Sequence, residues 1–221
     1  MKLNFTYNRE KDIWCILNKG NSSNNSLKQT RTYIELLKQV DMPLTEEKVS
    51  LFIDRYLQVD NIKIEQVINK NIKEFLLIQN KFITITEKVF SHSIDNDISV
   101  FLTINNRCPY NIEENWFFIS INGKNQNPTI MHELWHFYTW KKFGKAEQEK
   151  IGKEKYNTIK EALSVLLNVE CSHLFPIDIS DTGYPQHKKL RENILKWWKE
   201  KQDIDYIWKK SLDFIEIKNQ L

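Results

Sequence analysis

No apolar run in the chain exceeds five residues, well short of the roughly 20 that a bilayer-crossing helix needs. The opening MKLNFTYNREKDIW has no apolar core of the kind a secretory signal carries, so no export signal is expected. Cysteine is scarce. Cys15, Cys108 and Cys171 are odd in number, far apart and outside any C-x-x-C. That argues against a disulfide framework or a thiolate metal site and points to three reduced thiols in a cytoplasmic protein. Charge of one sign is also lacking. The 32 basic and 29 acidic residues leave a net charge of +3, too small to argue for nucleic acid or an anionic membrane as partner. There is no internal repeat, and the only compositional bias is toward Asn and Lys.

What remains is an ordinary globular composition. Hydrophobic residues make up 41% and charged residues 28% of 221, enough chain to bury a core without covalent staples. Residues 2–8 suit a short strand and the stretch to about Asn18 a helix. KGNSSNNS (19–26), without an apolar residue, reads as a linker. From Leu27 to about Phe90 the pattern is helical. Tyr33, Leu36, Leu37 and Val40 recur at helical spacing, as do Val49, Phe52, Ile53, Tyr56 and Leu57, with Thr45 as an N-cap. A third stretch, Ile62–Ile78, continues the series. The texture changes near residue 97. ISVFLTI (98–104) and NWFFISI (115–121) are β-branched and aromatic, and the Pro- and Asn-containing NNRCPYNIEE between them reads as a turn. The expected organisation is a mainly helical region 1–95 followed by a region 96–221 that carries the strands and the C-terminal helices, either as two parts or as one compact domain.

After the second strand, Asn127 and Pro128 open a helix whose end is marked by Gly144. That helix contains His132-Glu133-Leu134-Trp135-His136. Four residues make about 400° of rotation, so both imidazoles leave one face one turn apart and can bind a single zinc ion. Glu133 is placed to act as general base toward a water on that metal. In random order this composition yields H-E-x-x-H about once in a hundred such chains.

On these residues the chain resembles the HExxH zinc metallopeptidases, the zincins. Their branches differ in the third ligand. Thr139 and Lys142 stand where metzincins carry Gly and His, and the Gly-Thr-x-x-Asp of aspzincins does not occur. Lys160-Glu161-Ala162-Leu163-Ser164 is similar to the Asn-Glu-Ala-Ile-Ser that bears the glutamate ligand of thermolysin-like gluzincins. The resemblance therefore implies His132, His136 and Glu161 as ligands of one Zn2+ per chain. Helical spacing sets Glu161, Ser164, Val165 and Asn168 on one side, with Ile159, Leu163, Leu166 and Leu167 on another. A competing role for Glu161 is to close a capping box with Thr158, with Glu170 or His173 then the alternative ligands.

Thermolysin-like enzymes carry an acidic residue four positions after the ligand glutamate, which orients a metal-bound histidine. Val165 stands there, so Asn168, Asp178 or Asp181 takes that role or the branch is divergent. The family also uses a Tyr or His beyond the glutamate to meet the oxyanion, and Tyr184 and His187 fit, ahead of Tyr156 and His173. Arg191 reads as a substrate-carboxylate ligand or an exposed salt bridge. Tyr138, Trp135, Trp140, Trp197, Trp198 and Trp208 read as packing, and His92 has no role. Residues 141–155 read as a solvated helix or linker, followed later by two amphipathic helices at about 188–201 and 203–219.

The expectation is an α+β, zincin-like protein, with a small sheet near 98–121 packed on the HExxH helix and otherwise mainly helical. One of its strands could receive an extended substrate by β-addition. Its function is zinc-dependent hydrolysis of peptide or protein substrates. The alternative is a non-catalytic zinc-containing interaction module.

Overall fold

The computed structural model describes residues 1–19, 30–176 and 180–218. Residues 20–26 of the expected linker, and Asp178, lie outside them. The described residues form a mostly helical α+β structure with one four-stranded mixed sheet. They divide into two compact units, Met1–Leu76 with Asp95–Gln126, and Leu77–Ile94 with Asn127–Leu221. No helix among the described residues is long and apolar enough to cross a membrane.

The first unit begins with β1 (Leu3–Thr6), followed by α1 (Arg9–Lys19), α2 (Arg31–Leu37), α3 (Glu46–Val59) and the first part of α4 (Ile64–Phe90). The side chain of Thr30 accepts from the Tyr33 N–H, and Thr45 from the Lys48 N–H. Each satisfies a donor that the first helical turn leaves open. The third helical stretch, with its apolar positions noted over 62–78, reaches Phe90 as expected, because Phe82, Thr86 and Val89 keep the buried stripe going. Neither Gly nor Pro interrupts it before Ser91 turns left-handed at φ 56°.

The sheet adds β2 (Ile98–Thr103), β3 (Tyr110–Asn111) and β4 (Trp116–Ser120), in the order β1-β2-β4-β3. β1, β2 and β4 run parallel, with Phe5 opposite Val100 and Val100 opposite Phe117. Strands in parallel pairing are usually buried along their length, and all of β2 except Ser99 and all of β4 except Trp116 are buried. The turn expected between them contains β3, which pairs antiparallel to the start of β4. Neither of the two expected strands is outermost, since β1 flanks one and β3 the other.

Asp12 of α1 is fully buried in this unit, where its carboxylate accepts from the Thr103 hydroxyl at 2.6 Å, the Tyr7 hydroxyl at 3.1 Å and the Ile104 N–H at 3.3 Å. Burial pushes its pKa up to about 6, against the pull of these hydrogen bonds. Arg9 ties α1 to α3 through both oxygens of Asp54.

The second unit comprises the rest of α4, then α5 (Asn127–Ile151), α6 (Lys153–Leu163), α7 (Leu167–Glu170), α8 (Lys188–Glu200) and α9 (Ile204–Lys218), with single 3₁₀ turns at Ser164–Leu166, Ser172–Leu174 and Pro185–His187. The helix begun at Asn127 breaks at Gly144 (φ 55°, ψ −161°) as expected, then resumes, so residues 141–151 are helical. Ile130, Met131, Leu134, Trp135, Phe137 and Tyr138 are all buried. Trp135 and Tyr138 pack on Phe90, with ring centroids 4.9 and 5.9 Å apart. Trp208 stacks on Phe143, Trp140 meets Tyr156 edge-on, Trp197 meets Phe214, and Trp198 donates to Glu170. The tryptophans are packing residues, and Glu170 serves one of them.

Candidate metal centre

The buried middle of α5 supplies two imidazoles and α6 a carboxylate. His132 and His136 stand one turn apart, with ring centroids separated by 4.4 Å. Glu161 Oε2 lies 3.3 Å from His136 Nε2 and 3.7 Å from His132 Nε2. Together these three residues form a cluster that can hold a metal ion. Ligands about 2.0–2.2 Å from a tetrahedral ion are about 3.3–3.6 Å from one another, so the spacing around Glu161 fits one ion. Two nitrogens and one oxygen also make a donor set that leaves a fourth position open.

Glu161 is not a helix cap. α6 starts at Lys153, after Gly152 at φ 87°, so Thr158 is mid-helix and cannot begin a capping box. His173 is exposed on the next turn and Glu170 is bonded to Trp198. Neither belongs to the cluster.

Of the candidates for orienting a histidine, Asp181 holds the position. Its Oδ2 is 2.6 Å from His132 Nδ1. A proton on Nδ1 donates to that carboxylate, which leaves the Nε2 lone pair facing the cluster. Asn168 brackets the Asp181 backbone, donating to its carbonyl at 2.8 Å and accepting from its N–H at 2.7 Å. Asp181 Oδ1 accepts from the Ser164 hydroxyl at 2.8 Å and pairs with Arg191 Nη2 at 2.8 Å. Arg191 therefore forms a salt bridge, but a buried one and not an exposed one. Its side chain is only 7% exposed, and it also donates to Ser164 Oγ and the Asp181 carbonyl.

Burial opposes the charge on each carboxylate, and neighbours decide the outcome. For Glu161, the histidines and Lys160 outweigh burial and hold the carboxyl well below its ordinary range. Asp181 is likewise lowered, by His132 and Arg191. Burial and the Lys160 charge push His136 down, toward the neutral form a metal requires. Burial also lowers His132, but Asp181 and Glu161 overcome it and raise it to about 10. Bound metal and this proton compete for the same nitrogen face.

Glu133 is buried, and burial raises its carboxyl to about 7 despite His132 and Lys160. Its Oε2 has no hydrogen-bond partner among the described residues. An unsatisfied carboxylate oxygen at near-neutral pKa is suited to accepting a proton.

His187, at the start of α8, is buried and its pKa is lowered by burial, while the charges of Glu161 and Lys160 both reach it. Tyr184 is half exposed, its ring 5.7 Å from that of His187. Tyr156 and Tyr138 are core residues, and His92 is exposed.

One residue of the centre escaped the sequence reading. Lys160 is buried and donates to Glu161 Oε1 at 2.7 Å. Its signal was positional, because Tyr156, Ile159, Lys160 and Leu163 form the buried stripe of α6 and a lysine there interrupts an otherwise apolar face.

No protein-family model, curated protein or solved structure matches the chain.

Proposed function

We propose that the chain is a zinc metallopeptidase of the zincin type, with His132, His136 and Glu161 as ligands. The observation that carries this reading is the meeting of Glu161 Oε2 with both imidazole Nε2 atoms at 3.3 and 3.7 Å. The unsatisfied oxygen of Glu133, between the two histidines in sequence, supports a catalytic centre over a structural one, which has no use for a base.

Zinc, when bound, supplies a Lewis acid that lowers the pKa of water to about 7 and polarises a peptide carbonyl. Glu133 accepts the proton of the attacking water at Oε2 and later gives it to the leaving nitrogen. Asp181 keeps His132 in the Nδ1–H tautomer, while Arg191, Ser164 and Asn168 keep Asp181 in place. His187 or Tyr184 donates to the substrate oxygen as it gains negative charge. Substrates are peptides or proteins.

Elemental analysis of wild type, Glu133→Gln and Glu161→Ala, with peptide-library cleavage in parallel, tests this reading. Expected are about one zinc per chain in wild type and Glu133→Gln, clear loss of zinc from Glu161→Ala, and a fall of about 10²–10⁴ in cleavage for Glu133→Gln. Zinc without cleavage in wild type favours a non-catalytic module. Absence of metal from wild type even after zinc is supplied overturns both readings.

A further inference from the structure

Lys160 and Glu161 are neighbours on a helix, where successive side chains diverge by about 100° and ordinarily do not meet. Here they do. The Lys160 side chain is 2% exposed, and its Nζ bends back to within 2.7 Å of Glu161 Oε1. A buried ammonium is costly unless paired, so this carboxylate is part of what allows the charge to remain inside. The two oxygens of Glu161 are thereby divided. Oε2 faces His132 and His136, and Oε1 is held by Lys160.

We infer that Lys160 is a positioning residue that makes Glu161 a one-oxygen metal ligand. A free carboxylate beside a divalent ion can swing to present both oxygens, and the second would take the position that water and a substrate carbonyl need. Lys160 occupies Oε1, so the ion keeps three protein ligands and an open fourth place. The ammonium also offsets one negative charge among three carboxylates, Glu133, Glu161 and Asp181, the last of which pairs with the buried Arg191. This inference rests on the metal-site reading above but not on peptidase activity.

Cobalt(II) is the probe, because four-coordinate cobalt absorbs visible light far more strongly than five- or six-coordinate cobalt. Cobalt-loaded wild type should show the intense four-coordinate bands. Lys160→Met releases Oε1 and should weaken those bands severalfold at unchanged cobalt content, and Lys160→Arg, which keeps charge and donors, should restore them. Identical spectra for wild type and Lys160→Met overturn the inference and leave the metal site standing. Failure of wild type to bind cobalt or zinc overturns the inference together with the proposed function. If Lys160→Met does not fold, X-ray absorption at the zinc edge of wild type decides, one carboxylate oxygen at ligand distance supporting the inference and two overturning it.

Discussion

At Asp181 a single side chain faces His132 with one oxygen and Ser164 and Arg191 with the other. Replacing it by alanine removes the acceptor that sets the His132 tautomer and leaves the Arg191 guanidinium, among the described residues, with Ser164 and a backbone carbonyl. Asp181→Ala should weaken zinc binding by about 10–100-fold in a chelator competition, and lower unfolding stability by about 3 kcal/mol in urea titration. Asp181→Asn, which can still accept from Nδ1–H, should lose less of both. Residues of this kind were only partly legible. His132, Glu133 and His136 stand in a five-residue motif whose helical spacing is itself the geometry, and Glu161 sits in a recognisable local string. Asp181 was one of three candidates, because its contact with His132 spans 49 positions and no local period encodes it. Arg191 was misread for the same reason. A basic residue on an amphipathic helix looks solvent-facing until a carboxylate from a distant loop is placed against it.

At the scale of elements, glycines mark the breaks around the centre. Gly183 has φ 61°, and a Cβ there would lie 2.5 Å from Arg191 Nη1 and 2.6 Å from its Cζ. The guanidinium cannot swing aside without giving up Asp181 and Ser164. Gly183→Ala should therefore cost about 2–4 kcal/mol by thermal or chemical unfolding and should also weaken zinc binding. Gly152→Ala is the control. Its φ is 87° with nothing within 4 Å of the added Cβ, so it should cost about 1–3 kcal/mol from backbone strain alone and leave zinc affinity unchanged. Equal effects of the two variants on zinc affinity would sink this account. Elements were the most legible level, since α1 to α4, the two central strands, the break at Gly144 and the two last helices all follow from periodicity and punctuation. β3 was missed because two residues carry no period. The parallel direction of β2 and β4 was not legible either, because pairing direction is a property of two segments and of the chain that joins them.

For the whole molecule, pH couples to stability through Asp12. Its folded pKa of about 6 exceeds the ordinary carboxylate value because burial penalises the ion. The folded state then holds this proton more tightly than the unfolded state. The associated stability is fully present below pH about 4, falls as pH rises through about 6, and is absent above. Urea midpoints of wild type should decline relative to Asp12→Asn across that window, by the equivalent of roughly 3 kcal/mol, and a constant difference from pH 4 to 7 would refute it. The division into units has a consequence for synthesis. Neither unit is one uninterrupted stretch, because Asp95–Gln126 completes the first and Leu77–Ile94 belongs to the second. On a ribosome, the segment bearing Phe90 emerges well before Trp135 and Tyr138, the partners it packs against. It must wait, unburied, while the sheet strands of the other unit are made. Packing of this unit around α5 is thus postponed until Trp135 and Tyr138 have been made, and a fragment starting at Asn127 lacks the piece against which its central helix is built.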